Sequence, residues 1–131
     1  MYPEQVVMPT KEELISVGFE DLQSATAVDA AVNLKGTVLV VVNSVCGCAA
    51  GVKLSLDATK QPNRMTTVFA GFDTEATEQA RKHFLPFPPS YPCIGLFKDG
   101  ELVHFVERHH IEDRTKALIS ENLKVAYKTY C

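Results

Sequence analysis

The sequence predicts an α/β layer fold with a central mixed β-sheet flanked by helices. Three observations carry this. Residues 37–42, Thr-Val-Leu-Val-Val-Val, are apolar or β-branched throughout, the pattern of a strand covered on both faces. Strand-like and helix-like periodicities alternate on either side of it. Near the end, Lys98-Asp99-Gly100 separates two strand patterns and reads as a hairpin turn.

The elements follow in order. Thr10-Lys11-Glu12-Glu13 matches a capping box, a hydroxyl followed three residues on by a carboxylate. Leu14, Ile15 and Val17 continue a short helix, and Gly18 ends it. Ser24 caps a second helix that carries Ala27, Val28, Ala31 and Val32 at helical spacing, and Lys35-Gly36 stops it. After the central strand the spacing turns helical over about residues 49–59, with Val52 and Leu56 on one stripe and Gln61-Pro62-Asn63 closing it. A strand is expected over residues 65–70, and a helix over 73–84 capped by Asp73 or Thr74. A proline-rich loop spans residues 86–92, and strands follow over 94–97 and 101–106. The last helix is expected over 111–130, with Leu118, Asn122, Val125 and Ala126 along one side. The order is thus α, α, β, α, β, α, β, β, α. No repeat, low-complexity segment or boundary interrupts it, so one domain over residues 1–131 is expected.

Composition excludes several functions. The 131 residues carry 13 basic and 16 acidic side chains, a formal charge of −3, without a basic cluster for nucleic acid or an anionic membrane. No apolar run approaches the ~18 residues of a membrane span, and the first residues do not resemble a signal peptide. A cytosolic protein is expected. Four cysteines are too few for a secreted disulfide scaffold.

Two of those cysteines, Cys46 and Cys48, flank Gly47 directly after the central strand. Three readings are open: a redox dithiol, half of a metal site, or two small core residues. The carboxyl end of a strand, where a helix opens, is where α/β folds place their sites. A helix N-terminus carries about +0.5 charge and lowers the pKa of a thiol beside it. On this argument Cys46 is the nucleophile, with a pKa under the ordinary value of about 8.5. Cys48, deeper in the helix, resolves the mixed disulfide formed on Cys46. A disulfide needs Cα atoms roughly 4.4–6.8 Å apart, so the backbone must bend at Gly47.

The run Tyr91-Pro92-Cys93-Ile94-Gly95-Leu96-Phe97-Lys98-Asp99-Gly100 resembles the stretch after the cis-proline of thioredoxins. A closer resemblance lies in Val40-Val41-Val42-Asn43-Ser44-Val45-Cys46-Gly47-Cys48-Ala49-Ala50-Gly51, which is similar to the signature of the bacilliredoxins. Val68-Phe69-Ala70-Gly71, Phe87-Pro88-Pro89-Ser90, Val103-His104-Phe105-Val106-Glu107-Arg108-His109 and the terminal Cys131 extend it over nearly the whole chain. The resemblance implies a thioredoxin-like fold and a bacterial, cytosolic thiol–disulfide oxidoreductase. It would remove bacillithiol or a similar small thiol from mixed disulfides on client proteins, with weak disulfide isomerase activity. The small thiol is then a co-substrate, and no resident cofactor is expected. The resemblance implies a cis Pro92 that shapes a substrate groove, for which Gly47, Tyr91, Cys93 and His109 are further candidates; Cys93 is read equally as a third active-site thiol or as a core residue at the start of a strand. His109 could stabilise a thiolate or shuttle a proton; a solvated turn is the bland alternative for it. His104 and His83 are read as structural, and Cys131 as an exposed terminal thiol.

Two departures from thioredoxins matter. The chain has no Trp, and Val40 occupies the offset where thioredoxins carry a buried Asp. Strain in the Cys-Gly-Cys ring and a stabilised thiolate should together raise the reduction potential, by about 60 mV over thioredoxin's approximately −270 mV. The competing function is a metal or iron–sulfur carrier using Cys46, Cys48 and Cys93.

Overall fold

The computed structural model describes residues 2–45, 49–88, 91–111 and 114–131. Ten principal elements run in the order α1 (Glu4–Ile15), β1 (Glu20–Asp21), α2 (Ala25–Val32), β2 (Thr37–Asn43), α3 (Ala49–Leu54), β3 (Arg64–Phe69), α4 (Thr74–Phe84), β4 (Cys93–Lys98), β5 (Glu101–Val106) and α5 (Lys116–Tyr130). Single 3-10 turns follow α3 and β5, at Ser55–Asp57 and Arg108–His110.

The strands form one mixed sheet in the order β1-β3-β2-β4-β5. β2 is its centre, parallel to β3 with Val42 opposite Val68, and antiparallel to β4 with Val42 opposite Cys93. All seven residues of β2 are buried, as the apolar run requires. Successive side chains point to opposite faces. Leu39 and Val41 therefore join a core with Leu14, Val52, Ile119, Leu123 and Tyr127, under α1, α3 and α5. Val38, Val40 and Val42 join the opposite core with Val28, Val32, Ala80 and Phe84, under α2 and α4.

Local signals explain most boundaries. The Ser24 hydroxyl accepts the Ala27 N–H at 3.1 Å and caps α2. The Asp99-Gly100 turn has φ of 52° and 85°, the left-handed pair of a tight hairpin. The Gln61 side-chain amide donates to the carbonyls of Leu56 and Ala58, both at 2.9 Å, and closes the turn after α3. Gly18, at φ 102°, ends α1 as expected.

Other expectations need correction. The helix α1 starts at Glu4, not at Thr10, and Pro9 lies inside it. The Thr10–Glu13 pattern is therefore interior, and no capping box operates there. Asp73 stands at the N-cap position of α4, but its side chain makes no cap hydrogen bond; it pairs instead with Lys11. Helix α3 is shorter than its periodicity suggests, because the chain tightens into a 3-10 turn at Ser55. The strand β1 is two residues long, too brief for a period to show, and was not anticipated. Helix α5 begins at Lys116, where the Thr115 hydroxyl accepts the Leu118 N–H at 3.2 Å. Its buried stripe is Ile119, Leu123, Ala126 and Tyr127, whereas Leu118 and Val125 are exposed. No helix among the described residues is long and apolar enough to cross a membrane.

Candidate functional site

The carboxyl end of β2 sets the frame. Asn43 is fully buried there, and its backbone carbonyl accepts the Ala70 N–H at 2.9 Å. Its side-chain Oδ1 accepts the Ser44 N–H at 2.9 Å, and its Nδ2 donates to the Thr10 carbonyl at 3.4 Å. One amide thus fixes the direction in which the chain leaves the sheet and ties it to α1. Ser44 is also buried, and its hydroxyl finds no hydrogen-bond partner among the described residues. Both residues belong to the signature run read from the sequence, which assigned them no structural role; a polar Asn-Ser pair ending an apolar strand is the signal for it.

Cys46, Gly47 and Cys48 lie outside the described residues. Val45 precedes them and Ala49, the first residue of α3, follows them. The described part of α3 runs over six residues, Ala49–Leu54.

The strand β4 starts beside the end of β2, with Cys93 opposite Val42. The Tyr91–Pro92 peptide bond is cis, as the resemblance implies, and Leu85–Pro86 is a second cis bond that was not foreseen. Pro92 is buried. Cys93 is buried as the first residue of β4. Tyr91 is half-buried, and burial pushes its hydroxyl pKa above 10.0.

His109 follows β5, whose Val106 pairs with Ile94, so it lies at the same end of the sheet as Cys93. Its ring is 69% exposed, 3.7 Å from the Glu107 carboxylate, and its centroid is 4.0 Å from that of His110. Glu107, His109 and His110 each bring one possible ligand atom within 4.8 Å of the others. His104 donates to Asn122 Oδ1 at 2.7 Å, joining β5 to α5, and His83 donates to Asp29 at 2.7 Å, joining α4 to α2. Both are structural, as read from the sequence.

Cys131 is not an exposed tail thiol. It packs partly buried against the α5 core, its N–H donates to the Tyr127 carbonyl at 2.8 Å, and its thiol lies by the Thr37 side chain. Thr37 begins β2 and Asn43 ends it. At about 3.3 Å per residue the two ends are roughly 20 Å apart. Cys131 is thus placed away from the strand end that leads to Cys46. Val40, at the offset of the thioredoxin Asp, is fully buried within the apolar core.

The strand order, the helices on both faces and a cis-proline opening β4 define a thioredoxin-like protein. Solved structures agree: a mutant thioredoxin from Halobacterium salinarum matches with a TM-score of 0.59 and 19% identity, covering 85% of this chain and 88% of that one. Mitochondrial thioredoxin 3 from Saccharomyces cerevisiae, in its oxidized form, matches at 0.56 and 14% identity over 86% and 96%. The model of the disulphide isomerase family matches residues 2–131. A bacilliredoxin from Cytophaga hutchinsonii is 53% identical over 132 residues, covering 97% of this chain and 98% of its own. One from Bacillus cereus is 45% identical over 137 residues, covering 99% and 95%. The chain belongs to this disulphide isomerase family, with the bacilliredoxins, and is a redox protein of the thiol–disulfide oxidoreductase class.

Proposed function

We propose that this protein removes a small thiol, bacillithiol or one like it, from mixed disulfides on client proteins. The Cys46 thiolate attacks the small-thiol sulfur of the mixed disulfide. A Cys46–small-thiol disulfide forms, the original bond breaks, and the client leaves as a thiolate. The Cys48 thiolate then attacks the Cys46 sulfur, expelling the small thiol as its thiolate and leaving a Cys46–Cys48 disulfide. A second molecule of small thiol can resolve the adduct instead. The same exchange on a client disulfide would give weak isomerase activity.

The observation that supports this reading most is the placement of the Cys-Gly-Cys segment in the chain. In sequence it falls between the buried strand β2 and Ala49, the first described residue of α3, and β2 itself ends beside β4, which the cis Tyr91–Pro92 bond opens. Among the described residues no acidic group joins the apolar core around Val40, so the proton leaving a thiol passes to water or to a group outside that core. A small thiol, a good leaving group, demands least of such a site.

The test uses a client protein carrying the small thiol and follows it by mass. Cys46→Ser abolishes transfer, and Cys48→Ser accumulates the adduct on Cys46. An adduct trapped on Cys48 in the Cys46→Ser protein reverses the assignment. Stoichiometric metal in the same purified sample would replace this reading with that of a metal carrier.

A further inference from the structure

A cavity of about 320 Å³ opens beside Cys93, between the end of α4, the proline-rich loop and β5. The floor is aromatic. Phe84 and Phe105 lie 5.0 Å apart, and Phe87 stacks on Phe105 at 4.6 Å and 23°. Leu85 is 68% exposed and Phe87 38% exposed at its rim, large apolar side chains left in water together. Arg81 and Lys82 stand on the same rim, with Glu78 one turn earlier, so the rim is positive by one charge. Tyr91 and Cys93 form the wall nearest the strand end that leads to Cys46.

We propose that this cavity is a client-recognition subsite. It takes a large apolar side chain of an extended client segment near the thiolated cysteine, and Arg81 and Lys82 meet a neighbouring client carboxylate. The inference rests on the proposed function for the presence of thiolated clients, and adds which of them are preferred.

The size is at the lower end for ligand pockets, about 300–1,000 Å³, and suits one side chain rather than a large cofactor. The lining selects among small occupants. A free, polar thiol would set its hydroxyls and amides against Phe84, Leu85, Phe87 and Phe105, where they lack partners. An apolar side chain has no such cost, and its neighbours stay in water at the charged rim. β5 is the outer strand of the sheet, so an extended segment can run past the cavity.

The experiment separates binding from exchange. Unreactive peptides with Ser in place of Cys are titrated into the full chain and followed by amide NMR. One has the form Ser-Gly-Phe-Glu; the others carry Ala for Phe or Lys for Glu. The Ala peptide should bind about tenfold more weakly and the Lys peptide about fivefold more weakly, with shifts centred on residues 81–88 and 105. In the Arg81→Glu, Lys82→Glu double variant the preference between Glu and Lys should reverse. Phe87→Ala, at an exposed position, should weaken the Phe peptide while leaving the fold intact. Equal binding of all three peptides would overturn the proposal, as would glutathione alone shifting these amides and displacing the Phe peptide. Exchange is scored separately on the thiolated peptides. Peptide selectivity without exchange keeps the subsite and removes the proposed function; exchange without selectivity does the converse.

Discussion

Lys11 Nζ lies 2.7 Å from Asp73 Oδ2, and the lysine is only 3% exposed. The same ammonium is 2.9 Å from Asp21 and sits over the Phe72 ring at 5.2 Å. One cation thereby joins α1, the short strand β1 and the start of α4. It also explains why Asp73 does not cap its helix.

Lys11→Met should destabilise the fold by about 3 kcal/mol, because two partly buried carboxylates lose their cation. Urea unfolding at neutral pH measures this. Burial pulls the Lys11 pKa down, but the hydrogen bonds to Asp73 and Asp21 outweigh it and hold the pKa above 10.5. A raised folded-state pKa means stability that is complete below the unfolded value. The gap between wild type and Lys11→Met should therefore be constant up to about pH 10 and narrow as pH climbs through the folded value. A gap that stays constant in alkali would contradict the pairing.

Gly51→Ala tests the contact between α3 and α5. Helix propensity alone makes this change stabilising by about 1 kcal/mol. A Cβ at Gly51, however, would stand 2.7 Å from both Cβ and Cγ2 of Ile119 and 3.2 Å from the Lys116 carbonyl. The clash should win and cost about 2 kcal/mol. The sign of the change in the denaturation midpoint decides between the two.

Tyr127 and Ser55 form a buried pair, with hydroxyl oxygens 3.1 Å apart, and Ser55 also donates to the Val52 carbonyl at 2.6 Å. Burial pushes the Tyr127 pKa up to about 12, against a smaller opposing effect of the Ser55 hydrogen bond. Tyr127 should titrate with a midpoint of about 12 in an ultraviolet titration. Its contribution to stability is present below pH ~10 and lost as pH rises through about 12. Ser55→Ala strands the buried phenol and should cost about 2 kcal/mol, more than Tyr127→Phe at about 1 kcal/mol.

Burial holds the Cys131 thiol above its usual 9.0, although the Thr37 hydrogen bond and the nearby Lys98 and Lys60 oppose the shift. Alkylation of Cys131 in a Cys46→Ser, Cys48→Ser, Cys93→Ser background should have its pH midpoint above 9.0. A midpoint at or below the ordinary value would place the thiol in water.

The sequence by itself determined four of the five strands and the strand after which the Cys-Gly-Cys segment follows in the chain. Residues 37–42 can satisfy their side chains only between two apolar layers, and Lys98-Asp99-Gly100 can only turn. These are local constraints, set by period, sterics and the backbone freedom of glycine. The tertiary structure decided what depends on partners far along the chain. Lys11 is buried because Asp21 and Asp73 converge on it, which no reading of residues 10–13 reveals. Leu118 and Val125 face water while Tyr127 is buried, because the approach of Gly51 to Ile119 sets the rotation of α5. Cys131 is held by packing on residues near the start of β2, where order comes from contacts and not from position in the chain. The aromatic cavity gathers Arg81, Phe87, Tyr91 and Phe105 from three segments, and only their packing brings an apolar floor and a cationic rim together.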